Sequence, residues 1–275
     1  MTLEIDHAKN APAPDSNAIY RLWDELSAFA VGDADAALEH LLGALCSMFG
    51  AHNALWSTVV RLPSPAVGDP LGGWRPRLVR VLKPVTSITG SIQEQVSTSW
   101  SPAVDLSQIQ AVSGPEQFRV RLLFEALPRD WFDGPHYRRH YLDVGHADSM
   151  SMRCAVNDDV RVHIFVFRSV AAERFQPSDK EPFALALRAL RWFYRQQLLS
   201  QGLLIANAPL TTMERRVLLQ LLDGKTEKEI AALLEQSPHT THVHVKSIYD
   251  KFDVHNRSTL MSLWLGRLPG TAGHP

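Results

Sequence analysis

Between Ser237 and Val254 one run carries side chains suited to reading a polyanion. His242, Val243, Lys246 and Ser247 recur at three-to-four-residue spacing, out of phase with the apolar Val245, Ile248 and Phe252. On a helix that spacing puts the two sets on opposite faces. A helix whose outer face is small and hydrogen-bonding can lie in a DNA major groove and reach base edges and phosphates. A second constellation lies upstream. His136 and His140 are four residues apart, so they would share a helix face, and Asp143, His146 and Asp148 follow closely. Such groups could hold a metal or move protons. Yet the chain contains no His-Glu-x-x-His, Gly-x-Ser-x-Gly or phosphate-loop motif. The expectation is therefore no enzyme activity, no metal and no cofactor.

The groove-facing residues need elements to position them, and local chemistry supplies these. Thr211 with Glu214, and Thr226 with Glu229, have capping-box spacing, in which hydroxyl and carboxylate satisfy the amides that a helix start leaves unpaired. Ser237 before Pro238 marks a third start, because proline at the first helical position has no N–H to leave unsatisfied. Asn256 gives a fourth, and Gly224 stands where a left-handed C-terminal cap is wanted. Apolar stripes at Val217, Leu218, Leu221 and Leu222, at Ile230, Ala231, Leu233 and Leu234, and at Val245, Ile248 and Phe252 can share one small core. Four short helices therefore follow one another in an all-α helix-turn-helix domain, 210–268.

This segment resembles the LuxR-type (GerE-like) helix-turn-helix domain of bacterial transcription regulators. The matching positions include Leu210, Thr211, Glu214, Val217, Leu218, Gly224, the Lys228-Glu229-Ile230-Ala231 run, Leu234, Ser237, Thr240, His244, Ile248, Lys251, Val254, Arg257 and Leu260. The resemblance implies that His242, Val243 and Lys246 face the groove, while Thr226, Lys228, Thr240 and Lys251 lie near phosphates. Three positions depart from the family: Gln236 replaces an aliphatic residue, Thr241 a valine and His242 a lysine. A buried Thr241 is expected to place its hydroxyl on a backbone carbonyl. Eight basic side chains stand against seven acidic ones between 210 and 268, a balance of +1. A module so close to neutral holds phosphates weakly as a single copy. Two copies on paired half-sites would remedy this, and the last helix offers Leu260, Met261, Leu263, Trp264 and Leu265 as a pairing surface. A homodimer on double-stranded DNA is the expectation.

The whole chain has 275 residues, 45% of them hydrophobic, enough for a second and larger domain. Cys46 and Cys154 are too few and too far apart for a disulfide framework. No apolar stretch approaches the roughly 18 residues that would span a bilayer, and the start lacks signal-peptide character. These features imply a cytoplasmic protein with no membrane partner. Outside the helical module the net charge is −2, which implies no polyanionic partner there.

In the N-terminal part a tail, 1–16, precedes helical stripes at 17–30 and 34–49. Strands are expected at Ala54–Leu62 and Leu78–Leu82, around a Pro- and Gly-rich loop from Pro63 to Pro76. Residues 86–143 mix short helices and loops. Met150–Val156 and Val160–Phe167 alternate around Asn157-Asp158-Asp159 and read as a hairpin. One helix, 179–202, follows, entered by a Ser178–Glu181 capping box, and Gln201–Pro209 links it to the helical module; residues 269–275 form a tail. This order makes an α+β domain, 17–178, around an antiparallel sheet, similar to GAF and PAS sensor domains.

A sensor of that shape would cup a small-molecule effector among Trp56, Trp74, Trp100, Phe118, Phe124, Trp131, Tyr137 and Tyr141. Residues 130–148 also resemble the aromatic-rich signature of acyl-homoserine-lactone receptors, in a different order; that likeness would give head-group roles to Trp131, Tyr141 and Asp148. Phe183, Leu187, Leu190, Tyr194 and Gln197 have heptad-like spacing on the 179–202 helix, so Leu187, Leu190 and Tyr194 are candidates to pair with a twin, as are Leu260, Met261 and Trp264 on the last helix. Two functions follow from the resemblance and composition together. One is a sequence-specific DNA-binding transcriptional regulator controlled by a small molecule or partner, with a quorum-sensing receptor as a special case. The other is a protein-interaction adaptor that uses the helical module without binding DNA.

Overall fold

The structure, a computed structural model, describes residues 15–62, 64–101, 104–115, 117–203 and 210–264. The expected tails, the last residues of the helical module after Trp264 and most of the linker before Leu210 lie outside these. The helices are α1 (Ser16–Ala28), α2 (Ala34–Met48), α3 (Thr86–Thr98), α4 (Leu106–Val112), the short α5 (Leu123–Ala126), α6 (Pro135–His140), α7 (Lys180–Arg188), α8 (Arg191–Ser200), α9 (Thr212–Leu222), α10 (Glu227–Leu233), α11 (Pro238–Phe252) and α12 (Arg257–Trp264). The strands are β1 (Asn53–Arg61), β2 (Trp74–Val81), β3 (Phe118–Leu122), β4 (Asp148–Ala155) and β5 (Val160–Arg168). They divide into two compact units, one drawn from Met1–Glu25 and Glu39–Arg191, the other from Leu26–Leu38 and Trp192–Pro275.

The first unit is built on an antiparallel sheet of order β2-β1-β5-β4-β3. Its strands alternate, so each face carries every second residue. One face brings Trp56, Met150, Met152, Cys154, Val162, Ile164 and Val166 into a core. Leu22, Leu41, Leu42, Leu45, Phe49 and Phe183 from the helices are also buried; Phe49 meets Phe183 edge-on at 5.1 Å, and the Trp23 indole donates to the Ala186 carbonyl at 2.8 Å. The expected hairpin is present as β4 and β5. Strand β2 begins at Trp74, four residues before the expected start. β3 was hidden in the ambiguous middle, although its Phe118-Arg119-Val120-Arg121-Leu122 alternates cleanly.

The single exit helix expected at 179–202 is two helices. α7 ends at Arg188 and a 3₁₀-type bond from Leu190 N to Leu187 O breaks the run before α8. The entry box differs too: Gln176 and Asp179 exchange the reciprocal bonds, not Ser178 and Glu181. Phe183, Leu187, Leu190 and Tyr194 are fully buried, because the heptad-like stripe serves cores inside the monomer. Leu187, Leu190 and Tyr194 therefore offer a twin no surface.

The second unit holds the four helices α9–α12. Val217, Leu218, Leu221, Leu222, Ile230, Val245, Ile248, Phe252, Val254, Leu260, Leu263 and Trp264 form its core, joined by Leu199 of α8. Leu233, expected inside, is 55% exposed and only Leu234 of that pair packs inward. The Leu26–Leu38 segment belongs here through polar contacts. Asp223 accepts from Gly32 N at 2.8 Å. Arg215 spans both oxygens of Asp35 at 2.7 and 2.9 Å and also reaches Ser200 O. Gln197 donates to Ala34 O at 2.7 Å.

Candidate nucleic-acid interface and sensor cavity

Local capping sets the helices that present the interface. Thr211 and Thr226 each accept from the amide three residues on, and Glu214 and Glu229 return the bond. Ser237 accepts from Thr240 N, with Pro238 in the first turn. Gly224 adopts φ +92°, the left-handed cap that a side chain would strain. Asn256 caps Thr259 N at 2.9 Å.

On α11 the buried side is Thr241, Val245, Ile248 and Phe252. The solvent side carries His239, Thr240, His242, Val243 and Lys246, all exposed, with Val243 at 52%. Thr226 and Lys228 are exposed at the start of α10. His239, exposed in the first turn of α11, extends the stripe toward the N-terminus. His242 Nδ1 lies 3.0 Å from Glu227 Oε2, so an acidic neighbour accompanies the residue that stands where the family has lysine.

Two expected contacts are already engaged inside the unit. Glu214, 5% exposed, accepts from Ser247 Oγ at 2.6 Å, Lys251 Nζ at 2.6 Å and Thr211 N at 2.6 Å. Desolvation opposes its ionisation, but the Lys251 ammonium and the other donors outweigh it and hold the carboxyl down at about 2. Ser247 and Lys251 thus brace α11 against α9. Thr241 does not behave as expected. It is fully buried, and its hydroxyl has no hydrogen-bond partner among the described residues. In α12, Leu260 and Trp264 are core residues and only Met261 remains partly open. The pairing surface expected there is thus mostly consumed by the chain's own core.

The other site is a cavity of about 170 Å³ on the second face of the sheet. β1, β2 and β5 form its floor, and α3, α4 and the segment from His140 to His146 contribute to its walls. Its polar groups are held in order. Ser91 Oγ lies 2.8 Å from His140 Nδ1, and Gln108 donates to Gln95 O at 2.8 Å. His146 stacks on Phe167 at 4.2 Å and its Nδ1 lies 3.0 Å from His52 Nε2. Burial lowers the His140 imidazole below its usual value, takes His146 down to about 4 and His163 to about 3. The Arg153, Arg161 and Arg119 guanidiniums add to the effect at His163.

Of the nine residues expected around a ligand, Tyr141 and Trp74 line this cavity and the other seven do not; burial raises the Tyr141 phenol to about 12. Trp56 points to the opposite face, fully buried, with its indole on Thr58 Oγ1. Trp131 donates to Asp105, and Tyr137 to Ala147 O at 2.7 Å. Asp148 accepts from Phe175 N and Ser149 N at 2.8 Å each, which makes it a loop tie. Trp74 lines the cavity as expected of it. Sequence reasoning missed Ser57, His140, His146 and His163 as lining: strand register brings Ser57 and His163 to the floor, while the end of α6 and the loop after it bring His140 and His146 to a wall. The His136–His140 pair does lie on one helix, where His136 faces Asp105 at 3.5 Å. Among the described residues no group of three or more His, Cys, Asp or Glu could hold a metal.

Residues 208–264 match the family model described as bacterial regulatory proteins, luxR family. With its capped helices, shared core of α9–α12 and open α11, this segment is a LuxR-family helix-turn-helix DNA-binding domain. No curated protein matches the chain. Solved structures similar to it include SdiA in complex with octanoyl-rac-glycerol, at TM-score 0.44 and 14% identity over 94% of this chain and 97% of that one. Escherichia coli SdiA matches at 0.42 and 14%, over 92% and 97%. The VqsR LBD domain of Pseudomonas aeruginosa matches at 0.42 and 11%, over 67% and 96%. These likenesses are distant, and no residue's role rests on them.

Proposed function

We propose that the chain is a bacterial, cytoplasmic transcription regulator. It binds double-stranded DNA through α11 as a homodimer, and a small molecule in the sheet-face cavity sets that binding. The observation that carries the reading is the exposed His239–His242–Val243–Lys246 stripe on the third helix of a LuxR-family domain. The near-neutral charge of the module supports the dimer, since one copy gathers too few phosphate contacts for tight binding at physiological salt. Pairing then involves Met261 and surfaces other than Leu187, Leu190 and Tyr194. Regulators of this family are generally not enzymes, and this reading gives the chain no catalytic step.

Electrophoretic mobility shift with genomic fragments tests it. Wild-type protein is expected to retard a small subset of fragments, and Lys246→Ala to weaken that retardation about tenfold. Retardation of none, with the protein folded and dimeric, would favour the adaptor function.

A further inference from the structure

On the exposed side of α11, Lys246 can only donate a hydrogen bond, and Val243 offers a base edge an apolar contact alone. His242 differs, because a neighbour determines what its outer nitrogen does. Its Nδ1 lies 3.0 Å from Glu227 Oε2 at the start of α10, and its side chain is 63% exposed. A carboxylate accepts and has no proton to give, so Nδ1 carries the hydrogen. In the neutral ring Nε2 is then an acceptor. Taking up a proton makes Nε2 a donor and leaves the Glu227 bond in place.

The two states suit opposite base edges. In the major groove adenine N6 and cytosine N4 present amines, whereas guanine O6 and thymine O4 present carbonyl oxygens at the corresponding place. An accepting Nε2 matches the amines, and a donating one matches the carbonyls. In water an exposed pair such as Glu227 and His242 holds weakly, and exclusion of water in a groove strengthens it. The other charged groups on these helices are placed. Glu229 turns back to Thr226 N at 2.7 Å, and Glu214 of α9 is taken up by Lys251 and Ser247. Lys228, Glu235, His239 and Lys246 are exposed. Positive charge on the lysines or on a protonated His239 draws phosphates whatever the sequence.

Resting on the reading of α11 as the groove helix, we propose that His242 Nε2 is a specificity-determining contact whose base preference follows its proton. Neutral, it selects adenine or cytosine; protonated, it selects guanine or thymine. Glu227 is the positioning residue that keeps the hydrogen on Nδ1.

The test selects bound duplexes from a library with a random core of about 20 base pairs, two helical turns. It uses the full chain at pH 8.5 and pH 6.0, at equal ionic strength, with the fold checked by circular dichroism at both values. At pH 8.5 one position of the enriched sequence should favour adenine or cytosine at least about fivefold over guanine or thymine, and at pH 6.0 the bias should move about fivefold the other way. His242→Ala, at an exposed helix position, should remove both the bias and its pH dependence there and leave the other positions within about twofold. Glu227→Ala should keep the pH 6.0 preference but cut the pH 8.5 bias to under about twofold, because either ring nitrogen can then carry the hydrogen. An enriched sequence whose every position survives His242→Ala, or a His242-dependent position with the same preference at both pH values, would overturn this inference and leave the DNA-binding function standing. No enrichment of any sequence by folded protein would overturn that function, and this inference with it.

Discussion

Glu214 and His163 are both buried titratable groups, one in each unit, and the molecule treats them in opposite ways. Glu214 is surrounded by donors from α9 and α11 and remains ionised. His163 lies among apolar groups and arginines, stays neutral and keeps one nitrogen unmatched. A fully answered polar group fixes a geometry, here the pitch of α11 on its supporting helix. An unanswered one keeps its desolvation cost. The helical unit thus holds one surface still, and the sheet unit carries an unmatched group beside its cavity.

The contrast can be broken most forcefully at Glu214. Glu214→Ala leaves the Lys251 ammonium without its carboxylate partner and removes the reciprocal cap on Thr211. A loss of about 3 kcal/mol is expected in thermal or urea unfolding of the helical unit. A loss below about 1 kcal/mol would show that the cluster is only surface decoration.

The histidines give the next effect. His146 and His163 have folded-state values near 4 and 3, below the ordinary 6.5 of an unfolded chain. Unfolding therefore takes up protons as pH falls below about 6.5, and stability present above that value is lost progressively toward the folded values. Between pH 7 and pH 5 each histidine should cost about 2 kcal/mol. Urea midpoints across this range, compared with His163→Phe, should show the variant losing less; an identical decline would mean that His163 is not held neutral.

Thr241 sharpens the comparison at smaller scale, because it is the helical unit's own unanswered group. Thr241→Val keeps the branched shape and removes the orphan hydroxyl. It should stabilise the unit by about 1 kcal/mol in the same unfolding measurement, with DNA affinity unchanged. Destabilisation would show that the hydroxyl is satisfied in solution.

The two units also differ in how much of them is legible from residues alone. Thr211, Thr226, Ser237, Gly224 and Asn256 act within a few residues of themselves, so the helices they bound could be read directly and the structure places them as expected. Groove-facing residues follow from helical period once those bounds are known. The cavity has no such local grammar. Ser57 and His163 reach the cavity floor side by side only because β1 pairs with β5 in one register. Aromatic content drew attention to Trp56 and Trp131 instead, which packing uses elsewhere. The exit helix misled for a related reason: a stripe of buried residues looks the same whether a twin or the chain's own core covers it. Fate of the Thr241 hydroxyl and exposure of Leu233 depend on contacts across helices, which spacing does not encode.

The central claim, that α11 carries the DNA contacts of a paired regulator, is tested most directly by the salt dependence of fragment binding. Dissociation constants would be measured between about 50 and 200 mM salt for wild type and Lys246→Ala. A dimer that loses one groove-lying ammonium per copy, and with it the counterions that charge displaces, should show the slope of log affinity against log salt fall by up to about 2. A slope and affinity both unchanged by Lys246→Ala would contradict the account, because α11 would then not lie in the groove.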